Sequence, residues 1–323
     1  MIGGTGNISS AVSRLAIQQG HKLWCLHRKS ISILGLDCNE FLVDMAHESE
    51  VERVLANHTF DVIIDWIAFT PSHIERDLRL FLKRCAQYVF ISSASVYEKF
   101  PSLDLITETR RLHNPWWQYS CDKIDCEALL QKEIQRGAPI TIVRPSLTYD
   151  TVIPVPIGGW NEFSIVEILR QGKPIVVHGN GSEPWTITHS MDFAEGFLPL
   201  LGHAQALGEA FHITSNEHPT WDQIHEWLAE ACGCKANILH LPAKTIVAAE
   251  PQMEGTLLGD KAWPTLFDNS KIRRIAPKFA AKIPFCEGIR KTVQWFEEKP
   301  ERKLVNESSL QLMDRLVALA TAQ

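Results

Sequence analysis

Tyr119 and Lys123 stand four residues apart in Tyr119-Ser-Cys-Asp-Lys123, so on a helix the phenol and the ammonium share a face. A cation a few ångströms from a phenol favours the phenolate and lowers a pKa that is about 10 in a free peptide. Such a pair gives and takes protons near neutral pH. Alone the spacing is a weak signal, because it recurs on solvated helix faces. Two further stretches give it context. The chain opens Gly3-Gly-Thr-Gly6-Asn-Ile and runs into a helix-like segment over 10–19. Glycines there let the backbone approach a pyrophosphate whose charge rests at the helix N-terminus. Tyr88-Val-Phe-Ile-Ser92-Ser93-Ala-Ser95-Val-Tyr97 reads as an apolar strand ending in hydroxyls. Open α/β sheets bind ligands beyond the carboxyl ends of their strands.

In order and spacing these three stretches resemble the extended short-chain dehydrogenase/reductase family, which includes sugar epimerases, dehydratases and reductases. The likeness runs from Met1 to about Trp295. It implies an α/β fold, a doubly wound parallel Rossmann sheet with a smaller C-terminal α/β substrate-binding lobe. It also implies Tyr119 as acid/base, Lys123 as its partner and Ser93 as the hydroxyl that holds the substrate oxygen. Ser93 is preferred to Ser92 or Ser95 because the family's catalytic hydroxyl lies four residues before the Tyr97 position. Cofactor contacts carried over are Gly3, Thr5, Gly6, Asn7 and Ile8 in the turn, and Asp44 and Met45 against the adenine. Trp66, Ile67 and Ala68 line the far side, Lys123 holds the nicotinamide ribose, and Pro145 and Ser146 lie beside the nicotinamide. The helix bearing Tyr119 and Lys123 is one of a dimer-forming pair in the family, so a homodimer is expected.

The elements that position these residues are legible in outline. Strands are expected over 22–27, 40–45, 61–68, 88–92 and 141–146, with a helix over 72–87 from the spacing of Ile74, Leu78, Phe81, Leu82 and Cys85. Only Met1 and Ile2 precede the glycine turn, where a strand of about five or six residues is expected. The first strand therefore reads as truncated. Dinucleotide-binding residues are assigned to 1–148, rejoined by about 186–215. The substrate lobe takes 149–185 and 216–300, and 301–323 forms a helical tail that packs on the protein. Asp192 and Thr220 read as helix N-caps.

His27, Arg28 and Lys29 follow the second strand where an NAD-selecting protein would carry an acid. A guanidinium there pairs with a 2′-phosphate, which favours NADP(H) over NAD(H). The other readings of Arg28 are stacking on adenine or capping a strand end in solvent. Ser95, Trp116, Trp160 and Trp185 are assigned to substrate, with Trp116 and Trp117 either walling the site or packing its loop onto the helix.

Departures from the family pattern bear on substrate. Nucleotide-sugar epimerases hold a diphosphate with an asparagine after the sixth strand and an arginine in the return segment. Here those positions are Leu147 and Trp185. Burying a phosphate without donors is costly, and an indole offers a flat face to a ring. A small, unactivated sugar, sugar acid or glycoside is the substrate this implies. Residues 93–95 also lack the carboxylic acid that 4,6-dehydration needs. The alternatives are a nucleotide-sugar epimerase or reductase, with Trp185 as plain packing, and a non-catalytic relative that binds RNA or senses nicotinamide.

Composition sets bounds. A formal charge of −6 offers no field for nucleic acid or anionic lipid, and no apolar run approaches the roughly 18 residues of a membrane span. Eight scattered cysteines and a glycine turn starting at residue 3 point to reduced thiols in a cytoplasmic protein. Cys232-Gly-Cys234 has no second pair of ligands, so no metal site is expected.

Overall fold

The computed structural model describes residues 1–29, 35 and 38–322. Helix and strand alternate as α1 (Asn7–Gln18), β1 (Trp24–His27), β2 (Asn39–Leu42), α2 (Glu48–Leu55), β3 (Phe60–Asp65), α3 (Pro71–Phe81), β4 (Cys85–Ile91), α4 (Gln118–Gln135) and β5 (Ile140–Val143). The chain continues through β6 (Leu147–Tyr149), α5 (Ser164–Arg170), β7 (Ile175–His178), β8 (Ile187–His189), α6 (Ser190–Phe197) and β9 (Ala210–Phe211). The last part holds α7 (Trp221–Ala231), β10 (Ile238–Leu241), α8 (Ala243–Ala249), α9 (Glu254–Thr256), α10 (Ser270–Ile275), α11 (Phe285–Glu297) and α12 (Glu307–Thr321).

β1 pairs with β2, and β3, β4, β5 and β9 form a ladder, all in parallel. One residue joins the two groups. Ile2 bridges Leu26 and Asp65 in parallel, with Ile2 N donating to Ile64 O at 2.8 Å and Gly3 N to Leu26 O at 2.9 Å. The order is thus β2-β1-Ile2-β3-β4-β5-β9, the doubly wound arrangement whose order reverses at the glycine turn. The expected short first strand is one residue bridged on both sides, and a cavity of about 520 Å³ separates β1 from β3 below it, lined in part by Leu26, Phe41, Phe60 and Val62.

Both faces of the sheet are covered, as parallel sheets require. Ala11, Val12 and Ala16 of α1 pack with Phe193 and Phe197 of α6 on one face. Val51, Ile74, Phe81, Cys126 and Leu130 from α2, α3 and α4 cover the other. A separate core in the second half gathers Ile165, Val177, Trp185, Trp221 and Ile289, and α12 adds Met313 and Leu316 to it.

Two local expectations are corrected. The helix over 72–87 stops at Phe81, a 3-10 turn covers Leu82–Arg84, and β4 already starts at Cys85. The amide of Gln87 explains how a polar residue sits in a buried strand: it donates to Thr141 Oγ1 at 2.8 Å and Leu200 O at 3.1 Å. Asp192 is not an N-cap. His189 holds that position, its Nδ1 accepting from Met191 N at 3.2 Å. The Asp192 carboxylate instead accepts from Lys282 N at 2.9 Å and Ile283 N at 3.0 Å. Thr220 does cap α7, its Oγ1 accepting from Gln223 N at 3.2 Å while Gln223 Oε1 accepts from Thr220 N at 2.9 Å.

Candidate active site

The loop after β4 is fastened to the strand beside it, with Ser92 N donating to Val143 O at 2.7 Å and Ala94 N to Pro145 O at 2.8 Å. Its three serines then take different roles. Ser92 turns inward and donates to Glu127 Oε1 at 2.6 Å, and the same carboxylate receives Arg144 Nη2 at 2.6 Å. Arg144 also donates to Tyr97 Oη at 3.1 Å. Ser95 is buried, its hydroxyl 2.9 Å from Ser93 Oγ and accepting from Ser120 at 2.7 Å. Ser93 is the partly exposed member, beside Tyr119.

Tyr119 lies in the first turn of α4, its ring 5.0 Å from Trp117 and 6.5 Å from Phe69. Lys123, one turn on, is buried. Its ammonium donates to Ala68 O and Ile91 O, both at 2.7 Å, and lies 5.8 Å from the centre of the Tyr119 ring. The lowered phenol pKa expected from sequence is not found here. Burial raises the Tyr119 pKa above its ordinary value, opposed by the Ser93 hydroxyl. Lys123 spends its hydrogen bonds on backbone carbonyls, and its own burial brings it down to about 8.

The glycine turn has the backbone that close approach of a dinucleotide's pyrophosphate requires. Gly3 and Gly4 have φ of 84° and 118°, in the left-handed region that suits glycine. A Cβ on Gly3 would come 3.0 Å from Ile67 Cγ2, so only a bare backbone sits this close to the 66–68 segment. Gly6 precedes the twelve-residue α1, whose free N–H groups make an anion site. The segment opposite is set by Asp65, which accepts from Ile67 N and Ala68 N at 3.0 Å each and from Tyr88 Oη at 2.6 Å. Lys123 reaches that same segment. Lys123 thus links the segment that packs against the glycine turn to the helix that carries Tyr119.

Comparison with known proteins gives the family and the fold. The model of the NAD dependent epimerase/dehydratase family matches residues 1–214. The chain belongs to the NAD dependent epimerase/dehydratase family. Among curated relatives, the chloroplast stem-loop binding protein of 41 kDa b from Arabidopsis thaliana is 28% identical over 247 residues, 72% of this chain. The chain spans 62% of that relative's length. The 2'-dehydrokanamycin reductase of Streptomyces kanamyceticus is 22% identical over 86% of this chain and 78% of its own. Among solved structures, the epimerase Mth375 of Methanothermobacter thermautotrophicus superposes with a TM-score of 0.74 at 18% identity, covering 93% of this chain and 92% of that one. That likeness concerns the fold.

Several residues read from sequence as family contacts have their side chains engaged elsewhere. Asn7 accepts from Thr151 N at 3.1 Å and donates to Thr148 Oγ1 at 3.4 Å, so it ties α1 to the loop after β6. Met45 is core beside Val43 and Val51. Ser146 donates to Thr186 O at 3.4 Å. Ser95 positions Ser93, since both of its neighbours are hydroxyls of the site.

Trp185 is corrected most. It is 1% exposed, with Trp221 at 5.4 Å and the Lys99 ammonium 4.7 Å from its ring centre. No open face remains for a sugar. Trp117 packs against α9, where a Cβ on Gly255 would overlap the indole, while Trp116 is half exposed at the rim. Trp160, at φ 64°, is exposed and pairs with Ile153, and it makes no ring contact with Tyr119 among the described residues. Arg28 is 78% exposed with Nη1 4.0 Å from Asp44 Oδ2.

Four groups that sequence reasoning missed also shape this site. Asp65 was hidden inside an apolar strand, and Asn114 precedes a proline with no motif around it. Asn114 Nδ2 donates to Ser95 O at 2.8 Å and Gly259 O at 2.7 Å, joining the serine loop to the helical turn Leu257–Lys261. Glu127 carried a signal, four residues after Lys123 on one helix face. Lys99 with Asp260 and Lys261 carried none. Among the described residues no group of His, Cys, Asp or Glu is placed to hold a metal ion, and no helix is long and apolar enough to cross a membrane.

Proposed function

We propose that the protein is a nicotinamide-dependent oxidoreductase or epimerase acting on a carbinol or carbonyl carbon of a small sugar-like substrate. The observation that carries this is the meeting of Ser93, Tyr119 and Lys123 at the end of β4, beside the segment that packs against the glycine turn. A bound nicotinamide dinucleotide supplies hydride exchange. Gly3, Gly6 and the first turn of α1 would hold its pyrophosphate, and segment 66–68 its opposite edge.

The protein's own part is proton transfer and orientation. Tyr119, with its raised pKa, is the protonated donor to a carbonyl oxygen in the reductive direction. Ser93, steered by Ser95 and Ser120, donates to that same oxygen. Lys123 adds positive charge beneath the phenol and fixes α4 to the strand ends. We assign NADP(H) over NAD(H) on Arg28, an unactivated sugar on the absence of diphosphate donors at Leu147 and Trp185, and a homodimer through the outer face of α4. A reducing, cytoplasmic setting fits a chain in which no disulfide joins the described cysteines.

A panel of free sugars, sugar acids and glycosides with NADP+ and NAD+, followed at the absorbance of the reduced nicotinamide, tests the reading. Turnover of a small sugar that is lost in Tyr119→Phe supports it. Saturable turnover confined to nucleotide sugars would replace the substrate class. The plant relative is named a stem-loop binding protein, and that name favours a second reading, in which this chain binds a nucleic-acid stem-loop such as RNA. Salt-sensitive retention of a stem-loop RNA with no turnover of any sugar would favour that one instead, against a net charge of −6.

A further inference from the structure

Lys99 and Lys261 are both buried, their side chains only 4% and 11% exposed. Both ammonium groups lean on one carboxylate. Lys99 Nζ bonds Asp260 Oδ1, and Lys261 Nζ donates to Asp260 Oδ2 at 3.4 Å. Two cations against one anion leave a surplus of positive charge. The walls around it are indoles: Lys99 Nζ is 4.7 Å from the Trp185 ring centre and Lys261 Nζ is 5.8 Å from that of Trp117. An indole face returns part of the hydration a buried ammonium loses, but less than a counter-ion would.

Hydrogen-bond capacity is unbalanced in the same direction. Each ammonium has three donors and no acceptor. The Lys261 carbonyl is already shared by His178 Nε2 at 2.8 Å and Trp221 Nε1 at 3.1 Å. Trp185 Nε1, wholly buried, has no hydrogen-bond partner among the described residues. Burial lowers Lys261 to about 8, and burial together with Lys261 holds Lys99 well below its ordinary value, so holding both as ammonium groups is costly until a further anion offsets that cost. The site is rich in donors and short of acceptors.

Its position connects it to the chemistry. Trp117 has Lys261 on one side and the Tyr119 ring at 5.0 Å. A substrate with its reacting carbon at Tyr119 would present a more distant substituent to the lysines.

We propose that Lys99 and Lys261 form an anion subsite that takes a carboxylate of the substrate, making that substrate a sugar acid. The inference rests on Tyr119 marking the reacting end. A carboxylate fits better than a phosphate or diphosphate because its single negative charge matches the one surplus cation. Asp260 holds the two ammonium groups in register until the ligand arrives.

Calorimetric titration of the cofactor-loaded protein with D-glucuronate, D-galacturonate, D-glucose, D-glucose 6-phosphate and UDP-glucose tests this without relying on turnover. At least one hexuronate should bind tenfold or more tightly than glucose. Lys261→Gln and Lys99→Met should each bring that ratio to within about twofold, whereas Lys261→Arg, which keeps the charge, should retain most of it. Equal binding of hexuronate and glucose by the wild-type protein overturns the subsite, as does a preference that survives both neutral substitutions. Tighter, lysine-dependent binding of the phosphate or of UDP-glucose overturns the choice of carboxylate. If a neutral substitution unfolds the chain, the wild-type ratio and the arginine variant still decide. Lysine-dependent hexuronate binding with no hydride turnover would remove the redox reading and leave the subsite standing. Turnover of neutral sugars with no hexuronate preference would do the reverse.

Discussion

The Lys123 ammonium and the Ala68 carbonyl lie 2.7 Å apart, which ties α4 to the segment that faces the glycine turn. A second bond of equal length to Ile91 O makes Lys123 a clamp between two strand ends. Burial is the main cause that brings its pKa down to about 8. The cation is therefore present below pH 8 and lost above it, while Tyr119, moved the other way, keeps its proton across that range. kcat/KM for carbonyl reduction should be flat from about pH 6 to 7.5 and fall through about pH 8 to 9. A profile still rising at pH 9 would detach Lys123 from the reaction. Stability has its own sign. The folded value is below the roughly 10.4 of a free lysine, so between about pH 8 and 10 the unfolded chain binds more protons, and this residue's contribution to stability grows as pH rises.

Ser92 and Ser93 are adjacent and should fail differently. Ser92→Ala leaves the buried Glu127 carboxylate without one of its donors, a loss of about 1–3 kcal/mol. Denaturant unfolding should detect it, with kcat changed little. Ser93→Ala removes a hydroxyl that lies 2.9 Å from Ser95 Oγ and also accepts from Ser95 N at 3.2 Å, capping the 3-10 turn Ala94–Val96. Stability should fall by about 0.5–1 kcal/mol for the lost cap, less than for Ser92, and kcat should fall by about 10²–10³, the usual cost of one donor to a developing oxyanion. The opposite pattern would exchange their roles.

Tyr119→Phe keeps the ring packed on Trp117 and removes only the proton donor. Cofactor affinity, read by fluorescence quenching, should stay within about twofold, while turnover drops at least a thousandfold, somewhat beyond the typical 10²–10⁴ span's lower half for acid–base catalysis. Residual turnover within tenfold of wild type would place the proton transfer elsewhere.

What could be read from sequence was whatever repeats locally. The glycine turn, the hydroxyls after β4 and the Tyr119–Lys123 spacing each lie within a dozen residues, and Lys123 bonds both the end of β4 and the segment against the glycine turn. Burial and long-range pairing were not readable. Trp185 looked like an open face because nothing near it in sequence says that Trp221 and Lys99 enclose it. Asn114 joins Gly259 across 145 residues, and Lys99 meets Asp260 across 161. The phenol's pKa was misjudged for the same reason. Helical spacing gives the distance to Lys123, but the carbonyls that take its hydrogen bonds come from other strands.

Arg28 is exposed and, among the described residues, makes only a long contact with Asp44, which leaves its guanidinium to face a 2′-phosphate. Arg28→Ala should weaken NADP+ binding by roughly tenfold, a change of about 1.4 kcal/mol, and leave NAD+ within about twofold. Competitive titrations of both cofactors measure the ratio directly. A wild-type preference for NAD+, unchanged in the variant, would assign the adenine end to Asp44 instead.

Two glycines with the same backbone angle separate cofactor binding from strain. Gly3 and Gly20 both have φ of 84°, so alanine at either position carries the penalty of a left-handed L-residue, of order 1–2 kcal/mol. The surroundings differ. At Gly20 a Cβ meets nothing within 4 Å, whereas at Gly3 it presses on Ile67 Cγ2 at 3.0 Å. Ile67 cannot yield freely, because its backbone is held by Asp65 and the next residue by Lys123. Gly20→Ala should therefore lower stability by about that penalty and leave cofactor affinity unchanged. Gly3→Ala should cost at least as much and raise the cofactor Kd tenfold or more, by pushing segment 66–68 out of line with the turn. Equal cofactor affinity in the two variants would mean that this close approach serves the sheet alone.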